Sequence, residues 1–93
     1  MKKTYAFERT SRFTKSLKRY SKNDEKKKKA IIKTFTLLLD NPSHPSLNLE
    51  LINSKDKVWT VRINLSDRIF LSFEANDIIL LIDIGSHDLY KQY

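Results

Sequence analysis

The stretch VWTVRINLSDRIFLSFE, Val58 to Glu74, decides the fold. Side chains alternate across a strand with period two. Over Val58–Asn64 this puts Trp59, Val61 and Ile63 on one side and Val58, Thr60, Arg62 and Asn64 on the other. Over Arg68–Glu74 it sets Ile69, Leu71 and Phe73 against Arg68, Phe70, Ser72 and Glu74. Both apolar sets must face one core, and that constrains an antiparallel hairpin. Pairing Ile63 with Ile69 satisfies the constraint, with a short loop at Leu65-Ser66-Asp67. Arg62 then lies opposite Phe70 and Arg68 opposite Asn64. The two arginines become diagonal neighbours on the polar face, roughly 7–8 Å apart. A third strand follows at Ile78–Ile84, with Ile78, Leu80, Ile82 and Ile84 as its core side. Gly85, the only glycine, ends it.

Upstream of the hairpin the period changes. Thr4 to Glu8 alternates enough for a short strand. Phe13, Leu17 and Tyr20 then recur at helical spacing behind a cap at Thr10 or Ser11. Ser21 to Asp24 reads as a joint between two helices. A second helix is predicted from about Asp24 to Asp40, with Ile31, Ile32, Phe35, Leu38 and Leu39 as its apolar stripe. Asn41-Pro42 stops it, because proline disfavours a helical residue before it. Leu47, Leu49 and Leu51 alternate with polar residues as a further short strand, and Asn53 to Asp56 is a turn. Strand, helix, helix, then strands makes an α+β domain spanning residues 1–93. An N-terminal strand and a helical hairpin pack on one face of a small antiparallel sheet. The opposite face is left as a working surface.

Charge is unevenly placed. The chain has 93 residues and a net charge of +7. Residues 1–33 hold 13 Lys/Arg against 3 Asp/Glu, and residues 34–93 hold 5 against 8. A basic half attracts polyanions whatever their sequence; the plain alternative is a lysine face kept in water. With no cysteine there are no disulfides and no thiolate metal ligands, as in a reducing, cytoplasmic setting. The first ten residues lack the apolar run of a secretory signal. No apolar stretch is long enough to span a membrane.

Arginine's planar fork suits bidentate phosphate binding, so Arg62 and Arg68 are candidate anion ligands. The alternative is two surface arginines neutralised by Glu74, Asp67 or Glu50. His87 follows the last strand directly and can reach the arginine face. Histidine is the usual proton-transfer side chain in enzymes, although an ordinary exposed histidine would look the same. There is no Gly-rich phosphate loop, no HExxH or Cys/His ligand spacing and no nucleophile elbow. A metal-dependent nuclease or serine hydrolase is not expected, and no cofactor is.

His44-Pro45-Ser46-Leu47, Val58-Trp59-Thr60-Val61-Arg62-Ile63-Asn64, Arg68-Ile69-Phe70-Leu71 and Ile84-Gly85-Ser86-His87-Asp88, in this order, resemble toxins of the RelE/ParE superfamily. The resemblance is strongest to the YafQ- and YoeB-like branch and spans residues 44 to 90. It implies a type II toxin-antitoxin partner pair, with a cognate antitoxin from a neighbouring gene and a hetero-oligomeric complex. It also implies ribosome-dependent, metal-independent cleavage of mRNA. By the same resemblance Arg68 stabilises charge at the phosphate, Arg62 binds the phosphate or supports Arg68, and His87 is the general acid. His44 could assist, Glu50 is a candidate base, and Tyr90 could stack on a base. Lys26, Lys27, Lys28, Lys29 and Lys57 are candidates for contact with RNA or ribosomal RNA; a solvated helix turn explains the lysine run equally well. Tyr90 follows the histidine by three residues, where many relatives place an aromatic at four, and no second histidine lies in the hairpin. The superfamily also includes poisons of DNA gyrase that act by binding, and a degenerate, non-toxic binding module would carry the same fold.

Overall fold

The computed structural model describes residues 4–93. Its elements are β1 (Ala6–Arg9), α1 (Ser11–Ser21), α2 (Glu25–Asp40), β2 (Glu50–Asn53), β3 (Val58–Arg62), β4 (Asp67–Glu74) and β5 (Ile78–Ser86). Short 3-10 turns lie at Pro45–Leu47, Ala75–Asp77 and His87–Gln92. The strands form one sheet in the order β1-β5-β4-β3-β2. Strands β2 to β5 meander antiparallel. β1 joins β5 in parallel, with Ala6 beside Ile78 and Arg9 beside Leu81. The α+β class is as expected, but the sheet is mixed rather than antiparallel throughout. A parallel neighbour needs a long crossover, and the helical hairpin with the meander supplies it.

Thr10 fixes the corner between β1 and α1. Its hydroxyl accepts the Phe13 amide at 3.0 Å and donates to the Ile82 carbonyl at 2.9 Å. Asp24 caps α2 by accepting the Lys27 amide at 3.0 Å. Each cap satisfies an amide the helix itself cannot. In α1, Phe13 is buried, and Leu17 and Tyr20 line the core margin. In α2 the apolar stripe is narrower than its sequence. Ile31 and Leu38 are buried, while Ile32 is 64% and Leu39 39% exposed. Thr34 occupies the core side instead, its hydroxyl returned to the Ala30 carbonyl at 2.8 Å. Ile32 and Leu39 sit seven residues apart on the flank that turns away from the sheet.

Three strand readings change. Leu47 is buried in a 3-10 turn rather than a strand, and β2 begins only at Glu50. In β5 the core side is Ile79, Leu81 and Ile84, not Ile78, Leu80 and Ile82. A bulge between Phe70 and Leu71 on the β4 partner side switches the phase of β5 near Ile82. In the central hairpin Val61 faces Ile69, and Arg62 faces Arg68. The Ile63 amide donates to the Asp67 carbonyl at 3.0 Å, so the turn is Asn64-Leu65-Ser66. This is a two-residue shift from the expected pairing, and an even shift keeps every side chain on its face. Asn64 causes it: its side-chain oxygen accepts the Ser66 amide at 3.0 Å and the Asp67 amide at 2.9 Å. An asparagine closing on amides two and three residues ahead favours this tight loop.

The sheet face away from the helices is not wholly free. The segment His87–Gln92 straps across its middle. Phe70 is fully buried there, under Tyr90 at 5.6 Å and Tyr93 at 5.0 Å between ring centroids. What stays open is the end of the sheet at the β3–β4 turn.

Candidate functional site

The open end is built from the hairpin outward. Arg62 and Arg68 are directly opposed across β3 and β4, so their Cβ atoms are about 4.5–5.5 Å apart and their side chains leave the same face. Arg68 continues the row across to Gly85 of β5. One nitrogen of Arg68, Nη1, donates to the carbonyls of Asn64 at 2.8 Å, Asp67 at 3.0 Å and Leu65 at 3.3 Å. This fastens the arginine to the turn at one corner of its fork and leaves Nε and Nη2 without partners among the described residues.

Like charges directly opposed across a ladder destabilise it unless an anion intervenes. None of the carboxylates that could neutralise the pair does so. Asp67 accepts from the Tyr20 hydroxyl and from Asn64 at 3.0 Å. Glu74 accepts from Ser72 at 3.3 Å. Glu50 faces Thr60 across β2 and β3, on the arginine face but one diagonal step from Arg62. Among the described residues, neither arginine forms an ion pair. The face therefore carries two cations side by side with no carboxylate of the described residues between them.

His87 is tied to the same end of the sheet. Its amide donates to the Ser66 carbonyl of the turn at 2.9 Å, which extends the β4–β5 register by one step and puts the imidazole diagonal to Arg68. The imidazole is 62% exposed; its nearest charged neighbour is Asp88, at 3.8 Å. Tyr90 stands perpendicular to Phe70, its hydroxyl 3.1 Å from that of Thr60. Glu50, Arg62, Arg68, His87 and Tyr90 therefore share one face. His44 caps the turn Pro45–Leu47, which leads into β2 at the Arg62 end of β3. Its Nδ1 accepts the Ser46 amide at 3.1 Å, leaving Nε2 as the nitrogen able to meet a ligand.

The lysine candidates separate. Lys27 lies over the Tyr20 ring, 4.5 Å from its centroid, and Lys28 pairs with Glu25 at 3.3 Å. Lys26 and Lys29 are exposed. Lys57 sits in the β2–β3 turn, at the other end of β3, roughly 17 Å along the strand from Arg62. The structure does not bring it to the arginines.

Two networks escaped the sequence reading because each joins residues far apart in the chain. Tyr20, Asp67 and Asn64 bind the end of α1 to the hairpin tip. Burial pushes the Asp67 carboxyl up, but hydrogen bonds from Tyr20 and Asn64 and the Lys27 charge outweigh it and hold it below its usual value. At the centre of the sheet the buried Asp83 carboxylate accepts from the Ile84 amide at 2.9 Å and the Tyr93 hydroxyl at 2.8 Å, and pairs with Arg12 at 3.0 Å. The only sequence signal was Asp83 itself, a lone acid in an apolar strand.

Burial, and then a hydrogen bond to a carboxylate, raise both phenols: Tyr20 well above its ordinary value, and Tyr93 from 10.0 to about 12. A phenol whose pKa rises on folding contributes stability in full below its unfolded value, and that stability is lost as pH climbs toward the folded one. The melting temperature should therefore fall between about pH 10 and 12, more steeply than in Tyr93→Phe or Tyr20→Phe. Thermal unfolding across that range checks it; equal slopes in all three proteins would contradict the assignment.

Among the described residues no three His, Cys, Asp or Glu side chains converge as a metal site, and no helix is long and apolar enough to cross a membrane. No protein-family model and no curated protein sequence matches the chain. Solved structures do. YafQ from Escherichia coli BL21(DE3) superposes with a TM-score of 0.70 at 14% identity, over 91% of this chain and 96% of that one. YoeB, from the heterotetrameric YoeB-YefM toxin-antitoxin complex of Staphylococcus aureus, gives 0.71 at 17% identity, over 91% and 99%. The YoeB/ParE toxin from Agrobacterium tumefaciens gives 0.74 at 13% identity, over 87% and 96%. The fold is that of the RelE/ParE toxins.

Proposed function

We propose that this chain is the toxin of a type II toxin-antitoxin pair, and that it cuts mRNA in the ribosomal decoding site without a metal ion. The observation that carries this is the opposed pair Arg62 and Arg68, free of ion pairs, with His87 anchored beside them. In the reaction the ribose 2′-oxygen attacks the adjacent phosphorus as the bond to the 5′-oxygen breaks. The products are a 2′,3′-cyclic phosphate and a free 5′-hydroxyl. Arg68 and Arg62 hold the non-bridging oxygens, whose charge grows in the transition state. Protonated His87 delivers a proton to the departing 5′-oxygen. Glu50, on the same face, is the candidate to take the proton of the 2′-hydroxyl, with Nε2 of His44 as a second acceptor. Tyr90 is held firmly enough by Phe70 and Thr60 to support a neighbouring base.

Lys26 and Lys29 are the members of the lysine run free to meet ribosomal RNA, with Lys57 a more distant contact. The antitoxin would cover the arginine face with acidic residues, and the toxin would act in the cytoplasm. A second reading follows the ParE name carried by one structural neighbour: inhibition of DNA gyrase by binding alone.

Expression of the chain without an antitoxin in a bacterial host tests the proposal. New mRNA 5′ ends inside translated codons, mapped by primer extension, are expected. Growth arrest with intact mRNA and broken DNA would select the gyrase reading, and unimpaired growth would mark a non-toxic member.

A further inference from the structure

A groove of about 510 Å³ runs between α1 and the C-terminal half of β5. One face of α1 forms its wall, carrying Arg12, Lys15 and Arg19 at spacings of three and four residues. Its floor is β5 from Asp83 to Ser86 and the side chain of Leu89. Arg12 is committed to the Asp83 carboxylate and to Gln92. Among the described residues Lys15 and Arg19 have no ion pair and no hydrogen bond, and both are exposed. The groove opens directly onto the arginine face, because Gly85 both lines it and pairs with Arg68. Gly85 keeps that passage low. A Cβ there would meet the end of Leu89 at 2.7 Å and push the leucine up into the way.

We propose that this groove holds the sugar–phosphate backbone of single-stranded RNA immediately beside the scissile phosphate, with Lys15 and Arg19 meeting its phosphates. The proposal rests on reading the arginine face as the cleavage site. Two free cations beside Ile84, Gly85 and Leu89, with the one floor carboxylate, Asp83, already paired with Arg12, form with the second cationic pair a track along which a polyanion neutralises each charge in turn. An extended acidic protein segment adding to the edge of β5 is the competing occupant, and the backbone argues against it. β1 ends opposite Leu81, and three backbone groups at and just beyond that end are already engaged. Thr10 takes the Leu81 carbonyl with its amide at 3.0 Å and the Ile82 carbonyl with its hydroxyl at 2.9 Å. Asp83 takes the Ile84 amide. Strand addition draws its affinity from such groups, whereas RNA uses the side chains that remain free.

The test is the salt dependence of binding to a fluorescently labelled single-stranded RNA, read by anisotropy on a His87→Ala background so that the RNA stays intact. Each phosphate contact on a single strand contributes a slope of about 0.7 in log affinity against log salt. Lys15→Gln with Arg19→Gln should therefore flatten the slope by about 1.4. Lys18→Gln with Lys33→Gln removes the same charge from exposed positions outside the groove lining and should flatten it much less. Equal flattening by both pairs, or none from the groove pair, would overturn the proposal. So would a groove pair that abolishes binding of a glutamate-rich peptide while leaving RNA binding intact. Failure of the cleavage reading is seen separately, in the mRNA ends mapped with the unsubstituted chain, where Lys15 and Arg19 are both intact.

Discussion

Alanine at His87 is expected to slow RNA cleavage by about 10²–10⁴-fold, the usual cost of removing a general acid. The 5′-oxygen leaves poorly as an alkoxide, and no other imidazole stands on the β4–β5 side of the face. Fold stability should barely change, since the imidazole is 62% exposed and His87 holds the turn through its backbone amide. Arg68→Ala should cost activity comparably but for a different reason: it removes charge stabilisation and also releases the three turn carbonyls that Nη1 holds. Arg68→Lys separates these effects, because a lysine keeps the charge but loses the fork. The measurement is the rate of mRNA cutting at mapped sites at matched protein levels. If both alanine variants cut at the parent rate, the chemistry proposed here is wrong and binding alone must explain any toxicity.

Phe70→Ala is expected to lose about 3–5 kcal/mol, as buried Phe-to-Ala changes do. That is a large share of the roughly 5–15 kcal/mol that holds a domain together. Phe70 lies on the sheet face away from the main core, fully buried because Tyr90 and Tyr93 close over it. Its loss should therefore do two things at once. A urea melt should shift strongly, and the amides of residues 87–92 should exchange faster than those of β4 and β5. Phe73→Ala, on the core side of the same strand and against Trp59 at 5.8 Å, should destabilise without selectively loosening the strap. A Phe70→Ala protein with under about 1 kcal/mol of loss would mean the strap is not packed as described.

The structural consequence reaches the site. His87 begins the strap, so the packing that seats Tyr90 and Tyr93 on Phe70 also limits where the imidazole travels. The Tyr93–Asp83–Arg12 chain ties the far end of the strap to α1. The residues nearest the arginine face are thus held by a small second core made of one phenylalanine and two tyrosines.

Much of this was decided locally and could be read from the chain. A cap at Thr10 or Ser11, a second helix starting near Asp24, the stop at Asn41-Pro42, and the stripe of Phe13, Leu17 and Tyr20 follow from short-range chemistry. The faces of β3 and β4 followed from strict alternation, and so both arginines were placed on the polar side. Alternation is blind to even shifts of register, however. Only Asn64 folding over the turn put Arg62 opposite Arg68 instead of diagonal to it. β5 carries apolar residues at nearly every position, so its phase had no sequence signal, and a bulge set it. Ile32 and Leu39 look as apolar as Ile31 and Leu38; only the angle at which α2 meets the sheet chose between them. The strap, the Asp83 network and the groove beside α1 join residues as much as 80 positions apart. No local pattern encodes such contacts, because they exist only once the sheet has brought the two ends of the chain together. Sequence by itself determined the two helices, the central hairpin and the shared face of Arg62 and Arg68. Tertiary structure decided how close the two arginines stand, which carboxylates are already engaged elsewhere, and how much of that face remains open.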